Sequence, residues 1–254
     1  MEIDWGDGGY ERTAAVLAPV AEVLLDAAGA PPGSSLLDVA CGTGNVALAA
    51  AARGLDATGV DASDRLVGMA RERAEREGAD ARFLVGDATS LPLPDAGFDA
   101  AVSAFGVIFA SDAAAAVDEM LRVIRPEGVV ALTSWRASGP IFAAGRVLRE
   151  AFPAGGEPEP RWDDAGWVRA LLAGRGARDA RVSTARITFT ADSAEAWLAE
   201  QEEHHPVWRW GRRTLGPDAW GDVRGRMLAA LEGGNEDPAA FRTTSGYLVA
   251  VARR

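Results

Sequence analysis

The sequence predicts an α/β protein with a doubly wound, mostly parallel sheet of seven strands and a helical cap inserted between the last two. Three observations predict it. From Ser35 to Trp135, short apolar runs alternate with helical patterns. One strand-to-helix junction is a tight glycine turn, Gly42-Thr43-Gly44. Late in the chain, two strand patterns are separated by roughly 50 residues of helical pattern, a long excursion by the usual loop lengths. The expected plan is one domain: a helical lid over 1–30, a core over 31–190, a cap over 191–240 and a final strand over 241–254.

The elements follow in order. Val16, Leu17, Val20, Val23, Leu24 and Ala27 fall at helical spacing, predicting one helix over 10–28 that ends at Gly29 and the Pro31-Pro32 pair. Ser35 to Ala40 reads as a buried strand, and Asn45 to Arg53 as an alanine-rich helix closed by Gly54. Ala57 to Val60 is the next strand. Ser63 caps a helix running to Glu77, with Arg71/Glu75 and Glu72/Arg76 as i,i+4 pairs and Gly78 as its stop. Arg82 to Val85 and Phe98 to Ser103 are strands, joined by a loop containing LPLPDAG. Ser111 caps a helix through Arg125, and Pro126-Glu127-Gly128 turns the chain into the strand Val129 to Trp135. Beyond it, helices are expected over 141–152 and 162–173, with a Gly/Pro/Glu loop over 154–160 between them. A more exposed strand covers 180–190. Asp192 with Glu195 forms a capping box, and broken helices lead to the strand 247–252.

Bulk properties narrow the function. The 254 residues are 48% hydrophobic and 25% charged, ordinary for a globular protein. The formal net charge of −11 disfavours nucleic acid. All 26 basic residues are arginine; the densest basic stretch, Arg209, Arg212 and Arg213, is too short for a nucleic-acid footprint and reads as a solvated helix face. The single cysteine, Cys41, excludes an internal disulfide. The start, MEIDWGDGGYERT, has no basic or apolar leader, and no run is long enough to insert stably in a bilayer. A cytoplasmic monomer or homodimer is expected, acting on a small molecule and holding no metal.

Five segments bear chemistry. In Asp38-Val39-Ala40-Cys41-Gly42-Thr43-Gly44 a strand enters a glycine turn, letting backbone approach a ligand closely. The helix start behind it favours a carboxylate or phosphate. Alone, this also fits half of a dinucleotide fingerprint, but Ala47 stands where the third glycine is expected. Asp61, ending the next strand, can accept from both hydroxyls of a ribose, or can cap the following helix. Asp87, in Gly86-Asp87-Ala88, can accept from an adenine amino group. Ser103-Ala104-Phe105-Gly106 follows the fourth strand, and EMLRVIRPEG before the fifth is a packing and turn element.

In this order and spacing, LDVACGTG, GVD, GDA, FGVIFASD and LRVIRPEG resemble the class I methyltransferases, and more narrowly their small-molecule and quinone group. The resemblance covers residues 36 to 135. It implies a Rossmann-like sheet with an antiparallel last strand. It also implies S-adenosylmethionine as cofactor, released as S-adenosylhomocysteine. Asp38, Ala40, Gly42 and Gly44 would surround its methionine part; Asp61 would hold the ribose, Asp87 and Ala88 the adenine, and Ser103 would lie near the sulfonium; Ala62 would belong to the same cofactor site. Tyr10, on the first helix, would contact the cofactor carboxylate or simply pack.

The histidines, His204 and His205, fall in the cap and are the candidate bases, or a solvated pair before Pro206. Glu202 and Glu203 are weaker candidates. Trp197, Trp208, Trp210 and Trp220 either line an acceptor pocket or form the core of the cap. Cys41 reads as a packing residue. The resulting expectation is methyl transfer to an O, N or C atom of a small organic molecule, such as a secondary metabolite. A quinone-type C-methyltransferase, a non-methylating cyclase on the same fold and a pure cofactor-binding protein are the alternatives.

Overall fold

Parallel pairing organises the first half of the chain. In the computed structural model, which describes residues 3–152 and 161–254, seven strands form one sheet in the order β3-β2-β1-β4-β5-β7-β6. The strands are β1 (Ser35–Val39), β2 (Asp56–Asp61), β3 (Ala81–Val85), β4 (Phe98–Ala104), β5 (Ile124–Trp135), β6 (Arg178–Ala191) and β7 (Phe241–Arg253). β1 pairs in parallel with β2 and β4, β2 with β3, and β4 with β5, while the last strand is antiparallel. The order reverses at β1, which has β2 on one side and β4 on the other. A crevice opens beyond the carboxyl ends of the strands at such a switch point, where open α/β sheets bind ligands.

The helices are α1 (Tyr10–Leu17), α2 (Pro19–Ala28), α3 (Asn45–Ala52), α4 (Asp64–Glu77), α5 (Ala113–Val123), α6 (Pro140–Glu150), α7 (Ala165–Gly174), α8 (Ala194–His204) and α9 (Pro206–Gly233). The helix expected over 10–28 is two helices. Pro19 has no N–H to continue α1 and takes the first turn of α2 instead. In α4, the Ser63 hydroxyl accepts from Leu66 N and Gly78 closes the helix in the left-handed region, as read from sequence. The predicted ion pairs on α4 are replaced. Arg71 donates to the Phe83 carbonyl of β3, and Arg73 pairs with Glu77.

Two caps sit one residue later than expected. Asp112, not Ser111, accepts from Ala114 N and Ala115 N at the start of α5. Ser193, not Asp192, accepts from Ala196 N at the start of α8. β5 begins at Ile124, before the predicted turn, and a register shift between β4 and β5 absorbs residues 125–128. The loop expected over 154–160 lies outside the described residues.

The chain divides into two compact units. One contains residues 17–134, 161–184 and 248–254; the other contains 1–16, 135–160 and 185–247. The break before Pro19 thus assigns α1 to the second unit and α2 to the first. Leu37, Val39, Val60, Met120, Ile124 and Leu132 are buried in the core of the first unit. Trp197, Trp208, Trp220, Met227, Leu231 and Phe241 fill the core of the second. Burying each large apolar side chain contributes about 1.5–3 kcal/mol.

Candidate cofactor site

The site is built where β1, β2 and β4 end, all within the first unit. Ala40 leaves β1 with φ 55°, and Phe105 leaves β4 with φ 58°, both in the left-handed region that side chains rarely occupy. Such strain persists where surrounding structure fixes it, and it clusters at functional sites. Phe105 N donates to the buried Thr133 hydroxyl at 3.0 Å. The two turns abut. A Cβ on Gly106 would lie 2.4 Å from the Ala40 Cβ and 2.8 Å from its carbonyl oxygen. Gly44, with φ 85°, starts α3, and a Cβ there would lie 2.9 Å from the ring of Phe83. Both glycines are therefore required by space, and Gly44 by conformation as well.

Two carboxyl groups are buried in this cradle. Asp38, only 1% exposed, is the last but one residue of β1, whose residues 36–39 are all buried. Its Oδ2 accepts from Ala47 N in the first turn of α3 at 3.1 Å, while its Oδ1 is buried with no hydrogen-bond partner. Burial pushes its pKa up to about 8; the bond from Ala47 opposes this, and the neighbouring charge of Asp61 adds to it. Asp61 is 8% exposed. Its Oδ2 accepts from Gly42 N at 2.8 Å and its Oδ1 from Ser63 N at 2.9 Å. Burial raises its pKa too, against those two bonds. Asp61 therefore ties the glycine turn to the end of β2, while Ser63 caps α4. Neither carboxyl meets an arginine among the described residues. A buried carboxyl without a counter-ion either keeps its proton or takes up a cation.

The other expected residues divide. Ser103 is fully buried and its hydroxyl is spent, donating to the Val39 carbonyl at 2.7 Å and accepting from Val107 N at 3.1 Å. It braces the two strand-end turns. Asp87 is exposed; its Oδ1 accepts from the Thr89 amide and hydroxyl, which lower its pKa and shape the loop. Its Oδ2 accepts no bond from the described residues. Ala62 is exposed at the end of β2 and Ala88 is half-buried. The Cys41 thiol is buried close to Gly59, and burial holds its pKa well up, so it packs. One contributor was not foreseen. Arg73 reaches from α4 to the Thr43 carbonyl and the Asn45 side chain, both at 2.8 Å, and fixes the glycine turn from outside.

The second unit holds the remaining candidates. Tyr10 stands edge-on to Trp5 at 5.4 Å and to His205 at 6.2 Å. His205 is partly buried. Its Nδ1 accepts from Val207 N at 3.2 Å and caps α9, and burial lowers its pKa to about 4. With Nδ1 accepting, Nε2 carries the ring proton, so His205 has no free nitrogen to act as the base expected of it. His204 lies against Gly9, with Nε2 3.9 Å from Glu200 and 3.8 Å from Glu203. Glu202 is buried and accepts from Trp220 Nε1 and Arg224 Nε, a structural role. Trp197, Trp208 and Trp220 are core residues; Trp210 packs on Phe152 at 4.6 Å.

Comparison with known proteins is consistent with this geometry. Residues 36–128 match the family described as methyltransferase domain. An uncharacterized protein of Mycobacterium tuberculosis is 37% identical over 172 residues, 66% of this chain and 63% of that protein. The chain thus spans less than two thirds of the length of that relative. A demethylmenaquinone methyltransferase of Beutenbergia cavernae is 45% identical over 104 residues, 41% of this chain and 42% of that one. The crystal structure of the YcgJ protein from Bacillus subtilis matches with a TM-score of 0.63 at 19% identity, covering 95% of this chain and 98% of that one. No described helix is long and apolar enough to cross a membrane.

Proposed function

We propose that the chain is a class I, S-adenosylmethionine-dependent methyltransferase, a reading supported by the match of residues 36–128 to the methyltransferase domain family, and that it transfers a methyl group from that cofactor to an O, N or C atom of a small organic molecule. The carrying observation is the cradle of Asp38 and Asp61, two buried carboxyl groups without a cation, around a glycine turn at the switch point. S-adenosylmethionine supplies a methyl group already activated on a sulfonium, together with an ammonium and two ribose hydroxyls. That chemistry fits the residues present. The orphaned Asp38 Oδ1 offers an acceptor to the ammonium, and Asp61 keeps acceptor capacity for the ribose. Asp87 would offer its second oxygen, Oδ2, to the adenine amino group, with Ala88 beside the ring and Ala62 next to Asp61. Gly42, Gly44 and the strained Ala40 bring backbone close to the methionine part.

The chain's own contribution is positioning: the nucleophile must lie in line about 3 Å from the methyl carbon with water excluded. A base is needed only where the acceptor's proton must leave during attack. His204 is the histidine with both ring nitrogens unused by backbone caps, and it is the base we propose for that case. Tyr10 as a donor to the cofactor carboxylate rests on the family resemblance alone. A quinone acceptor is the second reading, favoured by the demethylmenaquinone methyltransferase relative. Methyl-labelled cofactor incubated with the chain and a panel of small acids, amines, phenols and quinones tests the proposal. Label entering any panel compound supports it. Tight cofactor binding with no transfer to a broad panel sinks it and leaves a binding protein.

A further inference from the structure

The basic stretch that reads in sequence as a solvated helix face builds a groove. We propose that this groove, wholly inside the second unit, binds a small oxyanion, a carboxylate or phosphate borne on an apolar body. It encloses about 570 Å³. Arg209, Arg212 and Arg213 line it and lie at i, i+3 and i+4 on α9, so their guanidinium groups leave one helix face. In a chain of net charge −11, arginines generally find carboxylates; here two of the three share one. Asp7 accepts from Arg209 at 3.1 Å and from Arg213 at 2.6 Å, and the Arg209 bond holds its pKa down. Arg212 is exposed and makes no ion pair among the described residues. The carboxylate that lines the groove, Glu202, is already answered by Arg224 and by Trp220.

Arg209 adds a second sign of incompleteness: its Nε is buried without a hydrogen-bond partner. The open side of the groove comes from Gly216, where φ 74° and ψ 173° break α9 and nothing lies within 4 Å of the missing Cβ. Beyond the break, Pro217 and the Trp220 indole, held by its bond to Glu202, give an apolar wall. Forked donors beside an apolar wall suit a planar or tetrahedral oxyanion with an organic body. Three arginines in so acidic a chain are too few for a phosphate backbone. The proposal stands on this unit's geometry and does not rest on methyl transfer.

The Trp220 indole N–H signal in a ¹⁵N–¹H spectrum, identified by its loss in Trp220→Phe, reports on the groove. Benzoate and inorganic phosphate are titrated at constant ionic strength, with chloride as the control. A saturable shift is expected with at least one of them: phosphate alone points to a phosphate-bearing ligand, benzoate to a carboxylate. Arg212→Gln, whose melting temperature should match wild type, weakens binding about tenfold, the scale of one charge-assisted bond. Asp7→Asn, which frees Arg209 and Arg213, tightens it. No saturable shift from either anion, an equal response to chloride, or unchanged affinity in Arg212→Gln overturns the proposal.

Discussion

At the ends of β1 and β2, two carboxyl groups are buried with no cation among the described residues; on α9, two of three neighbouring guanidinium groups share a single carboxylate and the third has none. The first site hides its charge and uses backbone amides to restrain it. The second exposes its charge and uses one borrowed aspartate. Burial decides the consequence. An uncompensated acid in the core shifts its pKa upward, as Asp38 does, whereas exposed arginines stay charged and hydrated. The comparison teaches that the cofactor cradle is tuned by desolvation and the groove by pairing, so different perturbations should break them.

The largest effect is expected from Gly106→Ala. Its Cβ must displace the Ala40 Cβ at 2.4 Å and the Ala40 carbonyl oxygen at 2.8 Å, neither of which is the far end of a flexible side chain, so about 3 kcal/mol or more of stability should be lost, the upper range for overpacking. Chemical denaturation measures it, and calorimetry should show cofactor binding abolished. A mutant of normal stability would deny that the two turns brace each other.

Next, Asp61→Ala should weaken S-adenosylmethionine by about 1.5–3 kcal/mol, the scale of hydrogen bonds to a charged group. Part of that loss comes from releasing Gly42 N. Unchanged affinity in calorimetry would reduce Asp61 to a turn brace.

Asp38 gives a pH dependence of defined sign. Its carboxyl ionises near 3.9 when unfolded and near 8 when folded. Between those values the folded chain holds a proton that the unfolded chain has lost. This group's stabilisation is thus complete below pH 4 and falls away as pH rises towards 8. Asp38→Asn should flatten that part of the stability profile in the free protein. Binding of a cationic cofactor should expel the proton, so wild-type affinity should strengthen from pH 6 to 8 while the mutant's stays level. A flat wild-type profile would mean that Asp38 is already ionised.

The smallest effect tests the second unit. His205→Ala removes the α9 cap and should cost about 1 kcal/mol. The folded imidazole titrates near 4 and the unfolded one near 6.5, so wild type loses stability as pH falls through that window. The mutant should lack that acid limb. Turnover, once an acceptor is known, should survive in His205→Ala and fall in His204→Ala with cofactor affinity unchanged; the reverse would exchange their roles.

What the sequence made legible was local. The strand–helix rhythm, the Ser63 cap, the Gly78 stop and the glycine turn depend on neighbours a few residues away. Where two cap formers stand side by side, Ser111 with Asp112 and Asp192 with Ser193, composition does not choose; the extended backbone of the second residue does. Pro19 was legible in principle, but the helical spacing on either side of it masked the break. Long-range contacts stayed hidden. Arg73, which no local pattern singles out, clamps the glycine turn. The arginine groove needs Asp7 and Gly216 brought to one face. The Ser103 hydroxyl sits in the expected segment but is consumed by backbone, which only the packing of β4 against β1 reveals.

Calorimetry of the wild-type chain with S-adenosylmethionine and, in parallel, NAD tests the central claim most directly. The buried acids of the cradle predict that S-adenosylmethionine binds, with the heat of binding dependent on buffer ionisation at pH 7 because Asp38 releases a proton. NAD, which brings two phosphates instead of an ammonium, should bind far more weakly. Tighter binding of NAD, or no binding of S-adenosylmethionine, would contradict the account.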